Sequence, residues 1–122
     1  MISLGVVLSI LFVHWFADFV CQTDWQATNK SKDNSALLQH TATYTFMWLP
    51  LILILGYQGT DIKLLLFFPI TFICHTITDY FTSRVNSKLW ERKQVHSFFV
   101  SVGFDQFLHY AQLFITFYYL LK

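Results

Sequence analysis

Residues 62–82 read I-K-L-L-L-F-F-P-I-T-F-I-C-H-T-I-T-D-Y-F-T, an apolar run that closes on His75-Thr-Ile-Thr-Asp79. About 20 mostly apolar residues suffice for a helix to cross a bilayer. On such a helix His75 and Asp79 share one face, one turn apart. Ionisable groups are expensive at that depth and usually mark function. The spacing recurs in the chain. His14 and Asp18 form H-x-x-x-D in an earlier apolar run, Asp105 and His109 form D-x-x-x-H in a later one, and His40 stands near the start of a fourth. The expected fold is therefore all-α, a four-helix transmembrane bundle in one domain covering residues 1–122. Its spans are expected at about 2–22, 36–56, 62–82 and 97–121.

Composition points the same way. Of 122 residues 55% are hydrophobic, 20% are aromatic and only 12% are charged, against about 25% charged in a typical soluble domain. A chain this short has too little interior to hide that excess in water. The net charge of +1 argues against nucleic acid as a partner. Cys21 and Cys74 form no C-x-x-C pair and read as buried free thiols. The N-terminal run lacks the basic region and small-residue cleavage site of a signal peptide, so it is expected to be retained as a span.

Three polar connections separate the runs. The first, 23–35, contains T-D-W-Q, in which Thr23 or Asp24 is placed to cap a short interfacial helix. The second, 57–61, is a tight turn flanked by Gly56 and Gly59. The third, 83–96, holds Arg84, Lys88, Arg92 and Lys93 against Glu91. Pro50 and Pro69 fall inside spans and are expected to kink them. Six of the eight basic residues lie in the first and third connections. Positive short loops stay in the cytoplasm, so both termini are expected on the non-cytoplasmic face, in a bacterial inner membrane.

Counted at about 1.5 Å per residue, the four helices place their polar groups in the same half of the bilayer. Ser101, Asp105, His109, Gln112 and Thr116 follow helical spacing, as do Thr71, His75, Asp79 and Thr82. Such stripes belong to a bundle interior. The spans hold three carboxylates and no internal Lys or Arg apart from Lys63 at an edge. Uncompensated, they would each cost several kcal/mol. Protonation, pairing with histidinium or a divalent cation would relieve the cost. His14, Asp18, His40, His75, Asp79, Asp105 and His109 form a ligand set for zinc, iron or manganese, of the kind from which helical bundles build dinuclear sites. A proton relay is the second reading, and a purely structural polar network the third. Gln22, Lys30, Tyr44 and Arg84 are the candidate substrate-binding residues. His96, in the basic loop, is expected to be solvated.

The string H-W-F-A-D-F-V-C-Q-T-D-W at 14–25, then Lys30, L-L-Q-H-T-A-T-Y ending at Tyr44, H-T-I-T-D-Y at 75–80 and F-D-Q-F-L-H at 104–109 spans nearly the whole chain. It resembles a domain-of-unknown-function family of small bacterial and phage membrane proteins. The resemblance implies a multi-span membrane protein in which His14, Asp18, Gln22, His40, His75, Asp79, Asp105 and His109 are the matching residues. It implies no activity.

The chain carries no Ser-His-Asp motif, phosphate-binding glycine loop or C-x-x-C pair. The leading expectation is a metal-dependent hydrolase acting on a lipid or lipid-linked phosphate at the cytoplasmic leaflet, with Asp79 and Asp105 as catalytic carboxylates. Alternatives are a small transporter or channel component that binds ions or protons, and a non-catalytic phage or bacterial membrane effector. Membrane lipid is the expected partner, and a homodimer would enlarge the cavity.

Overall fold

The computed structural model describes residues 2–59 and 61–122. These form helices joined by short turns, with no strand among the described residues. Helix α1 spans Leu4–Trp15, is capped by the Ser3 hydroxyl at Val6 N–H, and runs on into a π-helical turn over Phe16–Val20. That wide turn closes with Cys21 N–H donating to the Phe16 carbonyl at 2.9 Å. The short helix expected in the first connection is α2, Asp24–Asn29, with Thr23 and Gln26 forming a reciprocal capping box.

Helices α3 (Asn34–Phe46) and α4 (Leu49–Tyr57) divide the second predicted span at Met47 and Trp48. Pro50 stands in the first turn of α4, where its missing N–H removes no helical hydrogen bond. A 3₁₀ turn over Ile62–Leu66 leads into α5, Phe67–Glu91, with Pro69 again in the first turn. The interior kinks expected at Pro50 and Pro69 are therefore helix starts.

Helix α5 outruns its predicted end at residue 82 by nine residues, and α6 spans Val95–Leu120. The expected connection 83–96 shrinks to residues 92–94. Residues 83–91 are polar in composition, yet they contain no glycine or proline to break a helix. The turn is a Schellman motif: Gln94 N–H donates to the Leu89 carbonyl and Lys93 N–H to that of Trp90, both at 3.0 Å. Lys93 sits at φ 55°, the left-handed position usually given to glycine.

The interior has two storeys. At the end where Lys63 Nζ meets the Lys122 carbonyl, Ile10, Trp48, Leu55, Leu64, Phe67, Leu113 and Phe117 form a close-packed apolar layer. Phe67 lies 4.8 Å from Phe117 and 5.1 Å from Trp48, ring centre to ring centre. Above this layer the interior is polar: His14, Asp18, His40, Thr71, His75, Asp79, Asp105 and His109 are all buried. The outer faces are apolar, with Phe12, Phe46, Ile73, Phe81, Phe99, Phe104 and Phe107 all exposed.

Two continuous helical stretches, Asn34–Tyr57 and Ile62–Glu91, are long and apolar enough to cross a membrane. Leu4–Val20 is apolar but shorter.

Candidate metal centre

Three histidines, one each from α3, α5 and α6, converge on Asp79, near the middle of α5. Its Oδ2 lies 3.2 Å from His40 Nε2 on α3 and 3.4 Å from His75 Nε2 one turn before it. Its Oδ1 lies 3.0 Å from His109 Nε2 on α6. Asp18 completes the first group: its Oδ1 is 3.0 Å from His40 Nε2 and 3.4 Å from His75 Nε2. The two imidazole Nε2 atoms are themselves 3.4 Å apart. Asp18, His40, His75 and Asp79 are all buried, and one ligand atom from each lies within 4.8 Å of all the others.

The π turn explains how Asp18 gets there. In a regular helix the i,i+4 pair His14–Asp18 would close as the other two such pairs do. His75–Asp79 stands at 3.4 Å and Asp105–His109 at 3.2 Å, whereas His14 Nε2 to Asp18 Oδ2 has opened to 3.7 Å. The extra residue in the turn re-aims Asp18 across the bundle to α3 and α5.

The distances suit a cation. For metal–ligand bonds of about 2.0–2.1 Å, the edges of a tetrahedron are about 3.3–3.4 Å long. The five edges that involve a histidine nitrogen run from 3.0 to 3.4 Å, and the sixth, between the Asp18 and Asp79 carboxylates, is within 4.8 Å. Hydrogen bonding alone fits the arrangement poorly. Each of His40, His75 and His109 turns one Nε2 toward two carboxylate oxygens, and a single N–H is directed at only one acceptor in a strong hydrogen bond. His75 Nδ1 has no hydrogen-bond partner among the described residues, and its ring is stacked between Tyr44 at 3.8 Å and His109 at 4.2 Å.

His14 falls outside the convergent groups. Tyr44 O–H donates to its Nδ1 at 2.8 Å, and its Nε2–H donates to Gln106 Oε1 at 2.7 Å. Gln106 Nε2 in turn donates to Asp105 Oδ2 at 3.1 Å, and Thr82 O–H donates to Asp105 Oδ1 at 2.6 Å. The expected ligand His14 is thus a supporting residue whose two nitrogens are both spent on protein groups.

Lys30 revises the charge balance expected from the spans alone. It reaches in from the α2–α3 connection, its Nζ 3.2 Å from Asp79 Oδ2. Burial opposes its charge, but Asp79 and then Asp18 outweigh that effect, and its pKa rises above the ordinary value. Three carboxylates against one ammonium leave two negative charges when the histidines are neutral, the charge of one divalent ion.

The other candidates divide. Tyr44 is buried and lines the centre through His75 and His14. Arg84 points elsewhere: it donates to the Tyr80 carbonyl and to Asn34 Oδ1, with its guanidinium 3.7 Å above the Tyr80 ring. It ties α5 to the start of α3. Gln22 is half-buried, its Oε1 covered and unpaired among the described residues. His96 is exposed, but it stands in the first turn of α6 rather than in the basic loop. Gln106 went unnoticed in the sequence because it neighbours Asp105 and stands off the 3–4 stripe of α6. Only the packing of α1 beside α6 gives it a role.

No curated protein and no solved structure matches the chain significantly. A family model described as protein of unknown function (DUF3307) matches residues 6–122. The match takes in every residue of the His/Asp centre, and the chain belongs to that family.

Proposed function

We propose that the protein is an integral membrane metalloenzyme that hydrolyses a lipid or lipid-linked phosphate from the cytoplasmic leaflet. The observation that carries the metal is the convergence of Asp18, His40, His75 and Asp79, whose five edges at a histidine nitrogen match a tetrahedral shell. The inverted polarity of the bundle supports the membrane. Soluble proteins bury apolar groups and pair their few buried charges, whereas here seven buried His and Asp side chains lie inside a shell of exposed Phe, Ile and Leu. In a four-span arrangement α1, α3–α4, α5 and α6 cross the bilayer. The basic residues Lys30, Lys32, Lys88, Arg92 and Lys93 then share the end nearer the centre, which the positive-inside tendency assigns to the cytoplasm.

A cleft of about 600 Å³ opens at that end, lined by Thr28, Lys30, Lys32, Ser83, Trp90 and Phe98 among others. Its cations and hydroxyls suit a phosphate, and its aromatic wall suits a lipid chain. Lys30 belongs both to the cleft and to the centre. In this reading Asp79 would hold the ion, and Asp105 would take the proton of the attacking water as the phosphorus–oxygen bond breaks and return it to the departing alkoxide, which leaves as the alcohol. The ion supplies an electrophile and lowers the pKa of water. The apolar storey of Trp48, Phe67, Leu113 and Phe117 closes the far half of the bundle. That favours hydrolysis on one side over a transport path through the membrane.

The test is elemental analysis of untagged protein, followed by phosphate release from lipid phosphates with added zinc, manganese or iron. Protein that binds no divalent ion and gains no thermal stability from any of them refutes the metal. Metal-loaded protein that releases phosphate from no lipid phosphate refutes the hydrolase.

A further inference from the structure

We infer that the centre holds two metal ions, bridged by Asp79, with the second bound by Asp79, Asp105 and His109. This rests on the metal reading above and extends it to a site with different ligands. The second group is again buried, with one ligand atom from each residue within 4.8 Å of the others. His109 Nε2 stands 3.0 Å from Asp79 Oδ1 and 3.2 Å from Asp105 Oδ1, near the edge length of a coordination shell with bonds of about 2.0–2.1 Å.

Asp79 divides its oxygens. Oδ2 faces His40 and His75, while Oδ1 faces His109. A carboxylate that aims one oxygen at each of two donor groups is the bridge of dinuclear sites built inside helical bundles. The groups also differ in completeness. The first offers four protein donors, enough to close a tetrahedral shell. The second offers three, which leaves an open coordination position of the kind catalytic sites keep.

Charge decides what fills that position. Two divalent ions exceed the three carboxylates, after Lys30 is counted, by two positive charges. The open position therefore takes an anion, and a phosphate ester supplies both the charge and the oxygen ligand. The cleft reaches the centre at the bridging residue, where Lys30 meets Asp79 Oδ2. Thr82, which donates to Asp105 Oδ1 at 2.6 Å, keeps that carboxylate turned toward His109, and Oδ2, which accepts from Gln106 at 3.1 Å, has a second lone pair for the departing proton.

The experiment titrates untagged, detergent-solubilised protein with zinc alone and, separately, with manganese alone. Wild type is expected to bind two equivalents. The second equivalent of manganese should broaden the paramagnetic resonance of the first through spin coupling. The double variant Asp105→Asn/His109→Ala should keep one equivalent, which also shows that it is folded, and bind the second at least about tenfold more weakly. Asp79→Asn should weaken both, and His96→Ala neither. A wild type that stops at one equivalent overturns the second ion and leaves the metal reading standing. No binding at all overturns both. Two equivalents retained in the double variant, or two without spin coupling, overturn the assignment to a bridged pair.

Discussion

Replacing Asp79 by asparagine is the sharpest single perturbation of the centre. The substitution keeps the shape of a side chain that is 3% exposed and removes its charge. Four partners lose an anion at once: Lys30 Nζ at 3.2 Å, His40 at 3.2 Å, His75 at 3.4 Å and His109 at 3.0 Å. Removing one partner of a buried ion pair costs about 3–5 kcal/mol. For a chain of this size each kcal/mol moves the unfolding midpoint by about 3–5 °C, so the expected fall is about 9–25 °C. Bound metal adds a separate loss. Stabilisation by a ligand at 100 times its Kd is about 2.7 kcal/mol, and it disappears with the site. The assay is thermal unfolding of metal-free and metal-loaded protein, with Asp24→Asn as the exposed carboxylate control. Asp79→Asn is expected to destabilise both forms and to abolish the shift between them. A variant that unfolds within about 2 °C of wild type and still gains stability from metal would refute the central role of Asp79.

Three further outcomes are expected. Metal retention should fall as pH is lowered, because ligation needs neutral imidazole and acid supplies the competing proton; elemental analysis after equilibration at a series of pH values reads this directly, and retention unchanged down to about pH 5 would contradict it. Ile73→Lys, on the exposed apolar face of α5, should cost about 2.5–3.5 kcal/mol of membrane insertion, measured by a glycosylation-based insertion assay, whereas a protein that does not enter the bilayer would tolerate it. Lys93→Gly should raise stability by about 1 kcal/mol, because a left-handed residue other than glycine is strained; unchanged unfolding would show that the Schellman turn relaxes in solution.

Much of the centre was legible because ionisable residues stand out in apolar runs. The pairs His75–Asp79 and Asp105–His109 needed only the helical period to be placed face to face. His40 and Asp18 were recognised as members of the cluster, but their pairing across the bundle was hidden. It depends on a π turn that neither a glycine nor a proline in Phe16–Val20 announces. Lys30 reads in the sequence as a candidate substrate-binding residue in a polar connection, and only the folded chain shows its ammonium reaching Asp79. Residues 83–91 read as loop because charge was taken as a sign of irregular backbone, although a polar sequence without breakers continues a helix readily. The division at Met47 and Trp48 carries no glycine or proline to announce it, since Pro50 lies two residues later, inside the first turn of α4.

The sequence Tyr44, His14, Gln106, Asp105 has a direction built into it. Each member donates to the next, and the amide in the middle has one end that only gives and one that only receives. An amide carries no titrating proton near neutral pH, so it passes on orientation while insulating charge. His14 can feel how Asp105 is turned without sharing its ionisation. A glutamate at position 106 would join the two electrically and let the proton inventory of one leak into the other. The glutamine thus separates the part of the bundle that sets geometry from the part that changes charge, and only the second needs to respond when something binds.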